Sequence, residues 1–545
     1  MNKFFIFLFS ILIISSCTQT DYEILDAELR NGNNIINSGL YIPLANSNQK
    51  SSETQIIALT NLDTYQITAD IVQYEIDGTL YSMFAYNKMI PGPILKVKKG
   101  SSLKVDFKNN LDQETTIHWH GLRQNIKDDG VPGFSQEPVK SGEKYTYTLS
   151  FPDAGIFWYH PHVREDLQQD LGLYGNIIVY DEYEKSSNIF NREEYLAIDD
   201  ILINDHRIAP YGSKNANFAL MGRYGNIMLI NGKIDYELKV NKGDVVRFYL
   251  TNTANVRPFN IMFGGSAKIV GSDLGMFEKE EFVDSVIISP GERYIVDVYF
   301  ENSGEYAISN YNPETTFLTT LGKIIAEDKK SSSDFSKRFF ELKNNENVIN
   351  EIQSYKKYFD KKIDYNLDLT LDMQGMMNME NMHSGMQNMP CHQMPDGSMM
   401  GDCDVKNEKK SGIEWEDGMR MMNTMMNSDM VKWIIKDKNT GKENMDLKMN
   451  AKVGDIIKIR LFNNPNSMHP MQHPIHLHGQ RFLVLEKDGI QNKNLVWKDT
   501  VLVPAGSTID ILVDVTNPGE WMLHCHIAEH LTSGMMTIFY AEEGT

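Results

Sequence analysis

Short stretches of alternating apolar and polar residues, separated by glycine and proline turns, run along the chain from about residue 53. One pattern recurs three times: a glycine, an alternating run of β-branched and charged residues, and an asparagine nine residues after the glycine. It occupies 100–109, 243–252 and 454–463. Alternation with a period of two is typical of a strand with one buried face. The pattern predicts an all-β chain made of three copies of one sandwich or barrel module.

A second repeat follows the first in each copy. Pairs of glycines stand thirteen residues apart, at positions 142 and 155, 291 and 304, and 506 and 519. Five residues past the second glycine, the outer copies carry His160 and His524, whereas the middle copy carries Ser309. The three copies are therefore in phase to the single residue, and the middle copy lacks the histidine.

These repeats predict the organisation of the chain, and the length is sufficient for three domains that each bury a core. We expect a signal peptide at 1–16, a polar segment at 17–52, and domains at 53–182, 190–328 and 364–545, with a linker at 329–363. The second domain is expected to carry no metal ligands. The third contains a methionine-rich insert at about 373–430.

Charge and the N-terminal segment narrow the possible settings. The formal net charge of −20 disfavours a nucleic-acid partner, whose phosphates would be repelled. Lys3 precedes an apolar run at 4–14 that is too short to span a membrane, and this is typical of a signal peptide for export. The following Ser-Ser-Cys resembles a bacterial lipoprotein signal, which implies a lipid on Cys17 as the membrane attachment and a place in the cell envelope or periplasm. The alternative is an ordinary secretory signal.

The other three cysteines lie in the third domain. Cys391 and Cys403 are close together in a polar stretch, and whether they form a disulfide, which export permits, or bind metal is left open. Cys525 lies between two histidines and has no evident partner, which indicates metal chemistry.

Ten of the fourteen histidines fall in four clusters: HWHG at 118–121, HPH at 160–162, HPIHLHG at 473–479 and HCHIAEH at 524–530. Residues two apart on a strand face the same side, so each His-x-His pair directs two imidazoles at one point. A single pair is more often an ordinary polar pair than a metal site. Four clusters in phase with a module repeat indicate a metal centre, and imidazole suits copper and zinc.

The last cluster adds a thiolate to the imidazoles. Cys525 faces opposite to its two histidine neighbours, so a metal bound to it would be a few covalent bonds away from metals on those histidines. His530 and Met535 follow five and ten residues later and, with His473, complete the ligand set of a type 1 copper site. Zinc is the weaker candidate because it has no redox use for such a site.

On these motifs the sequence resembles the multicopper oxidases. The matching segments are HWHG at 118–121, WYHPH at 158–162, HPIHLHG at 473–479 and HCHIAEHLTSGM at 524–535. The resemblance covers nearly all of 53–541 and is nearest to the methionine-rich bacterial branch, which includes copper-resistance oxidases and laccase-like enzymes. It implies three cupredoxin-like Greek-key β-sandwich or barrel domains, with a three-copper cluster between the first and the third.

The resemblance also implies four copper ions, one of type 1, one of type 2 and two of type 3. It assigns His473, Cys525, His530 and an axial Met535 to type 1; His118 and His476 to type 2; His120, His160 and His526 to one type 3 ion; and His162, His478 and His524 to the other. Cys525, His524 and His526 are expected to carry electrons inward, and Asp129 matches a carboxylate that assists proton delivery. Leu531 stands where some copper-efflux relatives have an acidic residue, so that proton route is not expected here, although Glu529 is nearby.

The methionine-rich insert holds sixteen of the thirty methionines. In its first part methionine is accompanied by Gly, Asn, Gln, Ser and His, whereas core methionine is accompanied by Leu, Ile and Val. Because thioether sulfur favours Cu(I), the segment predicts Cu(I) binding, with a low-complexity loop of no function as the alternative. Methionines at spacings of three and four in 419–430 predict a short helix for packing or for copper. Met471, two residues before His473, is expected on an electron entry route.

The sequence thus predicts an exported monomer that couples one-electron oxidation of a small donor to four-electron reduction of dioxygen to water. Cu(I) is the expected donor, in copper tolerance, with laccase-like oxidation of phenols beside it. A general laccase or ferroxidase is one alternative, and an envelope protein that sequesters Cu(I) is another. Sequestration alone has no need of Cys525.

Overall fold

A computed structural model describes residues 39–43, 49–182, 189–373 and 411–544, together with two short strands at 392–393 and 399–400. The expected signal peptide, Cys17, Cys391, Cys403 and most of the methionine-rich insert lie outside the described residues. Within the described ranges, no helix is long and apolar enough to cross a membrane.

The architecture is all-β, as predicted, and consists of three successive two-sheet units. The first unit pairs a four-stranded sheet with a five-stranded sheet. In order across each sheet, the strands are Thr79–Tyr86, Thr64–Ile76, Ser102–Asn109 and Lys144–Ser150, and then Ile56–Ala58, Ile94–Lys98, Gly175–Tyr180, Gly155–His160 and His118–His120. One apolar core contains residues from both sheets and extends into the third unit through Leu483 and Trp497.

The middle unit pairs a six-stranded sheet with a five-stranded sheet around its own core. The strands are Ile227–Ile230, Arg192–Ile201, Val245–Asn252, Arg293–Tyr299, Ser266–Ser272 and Gly275–Val283, and then Tyr236–Lys242, Phe317–Lys330, Gly304–Asn312, Phe259–Met262 and Val286–Ile288. Its core is built mainly from Val, Ile, Leu and Phe side chains on the inner faces of the two sheets.

The third unit pairs a seven-stranded sheet with a five-stranded sheet. The strands are Val431–Asp437, Tyr365–Met373, Ile456–Asn463, Thr508–Asp514, Arg481–Lys487, Ile490–Gln491 and Trp497–Lys498, and then Lys448–Lys452, Met536–Glu542, Gly519–Cys525, His473–Leu477 and Thr500–Val503. Its core includes Cys525 and Met535 among Leu, Ile and Val side chains.

Short elements complete the description. Two-stranded pairs join Leu40–Tyr41 to Tyr211–Gly212, Ile203–Asn204 to Arg207–Ile208, and His392–Gln393 to Met399–Met400. The α-helices are Glu165–Gln168, Ser336–Phe339, Glu346–Gln353, Arg420–Met425 and Ala528–Thr532, and the 3-10 helices are Ile126–Asp128, Lys356–Tyr358 and Asn444–Asp446. Part of 329–363 is therefore helical, and the predicted domain limits stay predictions.

Both sequence repeats correspond to repeated structure. The strand of the first repeat pairs antiparallel with the strand that follows the first glycine of the second repeat in all three units. The closing residues Asn109, Asn252 and Asn463 are buried, and each side-chain amide donates hydrogen bonds to two backbone carbonyls. Asparagine therefore ties the same corner in every copy, which explains its fixed position in the pattern.

Candidate metal centre

Cross-strand register brings the histidine motifs together in the outer units. His118 lies opposite His160 in the first unit, and His476 lies opposite His524 in the third. The equivalent place in the middle unit pairs Met262 with Ser309. The same strand pairing therefore presents facing imidazoles in the outer units and none in the middle one.

The predicted cluster histidines of the first and third units meet in one buried space. They are His118, His120, His160, His162, His476, His478, His524 and His526, each at most 7% exposed. The rings of His118 and His478 stack with centroids 4.0 Å apart, and those of His120 and His476 stack at 3.7 Å. The Nε2 atoms of His478 and His524 are 2.9 Å apart. Two units thus contribute four imidazoles each to a single site.

Most of these imidazoles are anchored through Nδ1. The acceptors are the carbonyl of Asp129 for His118, of Pro161 for His160, of Asp499 for His476 and of Cys525 for His524, and the carboxylates of Glu165 for His162 and of Asp129 for His478. The Nε2 atoms of His118, His160, His162 and His476 have no hydrogen-bond partner. Buried polar atoms without a partner are costly, so these nitrogens fit metal ligands.

The protonation of these side chains agrees with that use. Burial lowers the pKa of His120, His160, His476, His478, His524 and His526 below the ordinary histidine value. A neutral imidazole is the form that binds metal. These six histidines are therefore held neutral and ready to bind metal at neutral pH.

A second ligand group surrounds the thiol of Cys525, on the face of the strand Gly519–Cys525 opposite to the histidine cluster. Cys525 is fully buried, and its Sγ lies 3.6 Å from Nδ1 of His473 and 3.8 Å from Nδ1 of His530. Met535 is also fully buried, and its carbonyl accepts from the backbone N–H of Cys525 at 3.1 Å. The indole of Trp433 stacks on His530 with centroids 4.0 Å apart. A thiolate and two imidazoles in an apolar setting fit copper.

The electrostatics of this second group are those of a dry site. Burial raises the pKa of the Cys525 thiol, so a cation is needed to stabilise the thiolate. Burial, with a smaller contribution from His469, lowers the pKa of His473 to about 3. Both groups of residues therefore suit copper, and the alternation predicted for Cys525 against its two neighbours is present.

The two carboxylates singled out from the sequence, Asp129 and Glu529, have different partners. Asp129 is buried, and its Oδ2 accepts from His478 at 2.8 Å while its carbonyl accepts from His118. Glu529 is fully buried beside Asn255, which donates to it at 3.0 Å, and burial raises its pKa to about 8. Asp129 thus contacts two cluster histidines, and its part in proton delivery stays a prediction.

Several residues that shape the site were not predicted. Asp499 accepts from Nε2 of His120 at 3.0 Å and pairs with Arg293 of the middle unit. Burial alone would raise the pKa of Asp499, but Arg293 and His120 lower it well below its usual value. Glu165 and Trp433 were also missed. A signal existed for Asp499, because Lys498-Asp499 interrupts an apolar run from Leu495 to Val503.

Comparisons with known proteins point to one family. Three sequence profiles described as multicopper oxidase match residues 68–184, 158–331 and 416–545. A multicopper oxidase of Staphylococcus aureus is 25% identical over 470 residues, which is 84% of each chain. The structure of a laccase-like multicopper oxidase from Ochrobactrum sp. superposes with a TM-score of 0.66 at 20% identity, over 90% of this chain and 100% of that one. A Campylobacter jejuni multicopper oxidase described as a metallo-oxidase gives 0.63 at 22% identity, over 92% and 99%.

Proposed function

We propose a specific reaction for this chain, which belongs to the multicopper oxidase family: it oxidises Cu(I) and reduces dioxygen to water. Four Cu(I) ions each give up one electron, and with four protons these electrons convert one dioxygen into two water molecules. Laccase-like oxidation of phenols is proposed as a second activity of the same site. Copper tolerance is the proposed role, at the cell envelope and through an exported, lipid-anchored monomer.

The resident coppers are assigned to the two ligand groups. We place one type 1 ion at His473, Cys525, His530 and Met535, one type 2 ion at His118 and His476, and two type 3 ions at His120, His160 and His526 and at His162, His478 and His524. When bound, they supply one-electron oxidation of the donor and four-electron reduction of dioxygen. The chain itself excludes water, fixes the orientation of each imidazole, and keeps Asp129 in contact with His118 and His478.

The observation that favours Cu(I) as donor is a set of methionines along a proposed path from the surface to the core that contains Cys525. Met471, two residues before His473, is fully buried, whereas Met468 is 50% exposed. From the described end of the methionine-rich insert, Met419 and Met422 pack on the core that contains Cys525. Soft sulfur ligands select Cu(I), so the donor is proposed to enter along this path.

Charge in the same region supports a cationic donor. Asp417 accepts from the side chain of Asn423 and from the backbone N–H of Met419, and the adjacent exposed Glu416 pairs with Arg257 at 2.7 Å. A net charge of −20 over the whole chain further attracts cations and repels anions. Carboxylate and thioether side chains thus occur together where the described insert meets the third unit.

The same features bear on the two alternative functions. A sequestering protein would need the thioethers but not the eight buried histidines. A general laccase would need an open approach for a wide aromatic donor, and the structural neighbours include both a laccase-like enzyme and a metallo-oxidase, so the fold does not decide between these donors. The proposal that Cu(I) is the donor therefore rests on the methionines.

The test removes 374–402, which leaves intact the strand Tyr365–Met373 and every proposed ligand of the four resident coppers. We expect oxidation of Cu(I) to fall, because clustered thioethers no longer raise its local concentration, while oxidation of a bulky phenol is unchanged or rises. Oxygen uptake with Cu(I), Fe(II) and the phenol, at equal copper content, measures both. A chain of unchanged length with Ser for each Met of 374–402 separates sulfur from bulk. Equal changes with both donors would contradict the proposal.

A further inference from the structure

A buried ion pair joins the middle unit to the histidine cluster. Arg293 is fully buried, and its Nη1 and Nη2 donate to the two carboxylate oxygens of Asp499, each at 2.6 Å. Its Nε donates to the carbonyl of Ile156 at 2.9 Å. One guanidinium from the middle unit, which supplies no histidine to the cluster, therefore contacts both units that do.

Asp499 in turn holds two histidines from different units. Its Oδ1 accepts from Nε2 of His120 at 3.0 Å, and its backbone carbonyl accepts from Nδ1 of His476 at 2.9 Å. Thr500 donates its hydroxyl to the same Oδ1 at 2.7 Å. The two carboxylate oxygens are thus fully engaged, and the direction of the carboxylate is set by Arg293.

The orientation of His120 differs from that of the other anchored imidazoles. The six rings bonded through Nδ1 leave Nε2 on the far side, whereas His120 is bonded through Nε2 and its Nδ1 has no partner. Because the His120 ring is turned, its Nε2–H needs a hydrogen-bond acceptor where the other rings need none. Asp499 supplies that acceptor, with the Thr500 hydroxyl oxygen also 3.0 Å from the same Nε2, and a carboxylate binds an N–H donor more strongly than a carbonyl does.

Close packing leaves little room for the pair to shift. A Cβ at Gly121, the glycine of HWHG, would lie 2.4 Å from Oδ2 of Asp499 and 2.9 Å from Nη2 of Arg293. A Cβ at Gly291 of the middle unit would lie 2.8 Å from the ring of His526. Both glycines have positive φ, at 86° and 82°. The backbone therefore makes space for the ion pair and for the histidine beside it.

We propose that Arg293 and Asp499 are positioning residues of the copper cluster. Arg293, from the middle unit, fixes the carboxylate of Asp499, and Asp499 holds His120 with Nδ1 directed into the cluster. The middle unit thereby serves the cluster without supplying a ligand. The inference rests on the proposed assignment of His120 as a copper ligand.

The test compares two identical substitutions in the middle unit. Arg293→Lys keeps the charge but loses the two-pronged contact with Asp499. Arg247→Lys is the control, because Arg247 also makes a two-pronged contact, through Nε and Nη2, with Asp297 at 2.7 and 2.9 Å, and Asp297 is as buried as Asp499. Each protein is loaded with copper and titrated with a chelator. We expect Arg293→Lys to release cluster copper at about 10- to 100-fold lower chelator concentration, with the blue band of the Cys525 site retained.

Spectra add a readout that a change in stability alone would not move. Because the carbonyl of Asp499 also holds His476, a proposed ligand of the type 2 copper, the paramagnetic resonance spectrum of that copper should change in Arg293→Lys and stay as in the wild type in Arg247→Lys. If Arg293→Lys does not fold, Asp499→Asn, which keeps the shape of the side chain, is titrated in its place with the same expectation. Copper release and spectra equal to those of Arg247→Lys would overturn the proposal. Loss of the fold in both Arg293→Lys and Asp499→Asn would also overturn it. A wild-type chain that holds fewer than four coppers would instead count against the ligand set.

Discussion

The two ligand groups lie on opposite faces of one strand, yet the protein builds them in different ways. His473, Cys525 and His530 all belong to the third unit, and their neighbours are apolar or aromatic, with Trp433 stacked on His530. The histidine cluster takes its rings from two units. Most of these rings donate a hydrogen bond to a backbone carbonyl or to a carboxylate.

This difference shows what each group depends on. The thiol group takes all its proposed ligands from the third unit, through strand pairing and the short helix Ala528–Thr532, although Leu220 and other residues of the middle unit pack in the same core. The cluster is completed only when the units pack together, since Asp499 of the third unit anchors His120 of the first. Damage to the packing of the first unit against the third should therefore impair the cluster before it impairs the thiol group.

The largest effect should come from the thiol itself. Cys525→Ser replaces the soft thiolate by a hydroxyl, which is a poor ligand for copper in this setting, so both the blue colour and electron entry should be lost. Visible absorption and oxygen uptake measure the two effects, and copper analysis should show that the cluster ions remain. A fully loaded variant that stays blue would show that the type 1 assignment is wrong.

A cluster histidine should separate the two groups. His118→Ala removes a ring that stacks on His478 in the cluster, so oxygen reduction should fall to background, while the blue colour stays because the thiol group is untouched. His206→Ala, at an exposed turn, is the matched control and should leave both unchanged. Normal turnover by a copper-quantified His118→Ala protein would contradict the comparison.

The sequence was sufficient for the parts of the molecule that follow from local pattern. Period-two alternation predicted the strands, and the phased glycines and asparagines predicted three equivalent copies, because each turn has its own backbone requirement. The His-x-His motifs predicted facing rings, because register places His118 opposite His160 and His476 opposite His524.

The anchoring residues could not be found in this way. Arg293 and Asp499 are 206 positions apart and meet only after the units pack, and no local pattern connects them. Trp433 lies on a strand where a large apolar residue is expected for packing alone. Charged residues inside an apolar run were the available signal, because a buried charge is costly unless it is paired.

The smallest effect in this series should come from Asp129, the carboxylate that the family resemblance connects with proton delivery. Asp129→Asn keeps the shape of the side chain, and its amide oxygen can still accept from Nδ1 of His478, so copper content and the blue colour should be preserved. The negative charge beside the cluster is lost, and turnover should fall about 10-fold, the lower end of the effect of residues that orient metal ligands.

Asp128→Asn is the matched control, because the adjacent Asp128 is also buried but accepts from the backbone N–H of Thr148 and not from a histidine. Steady-state oxygen uptake at equal copper content measures both variants. Equal losses in the two would show that buried charge in this loop acts on the fold, whereas a loss confined to Asp129→Asn would show that the polar anchors of the cluster do chemical work that the apolar walls of the thiol group do not.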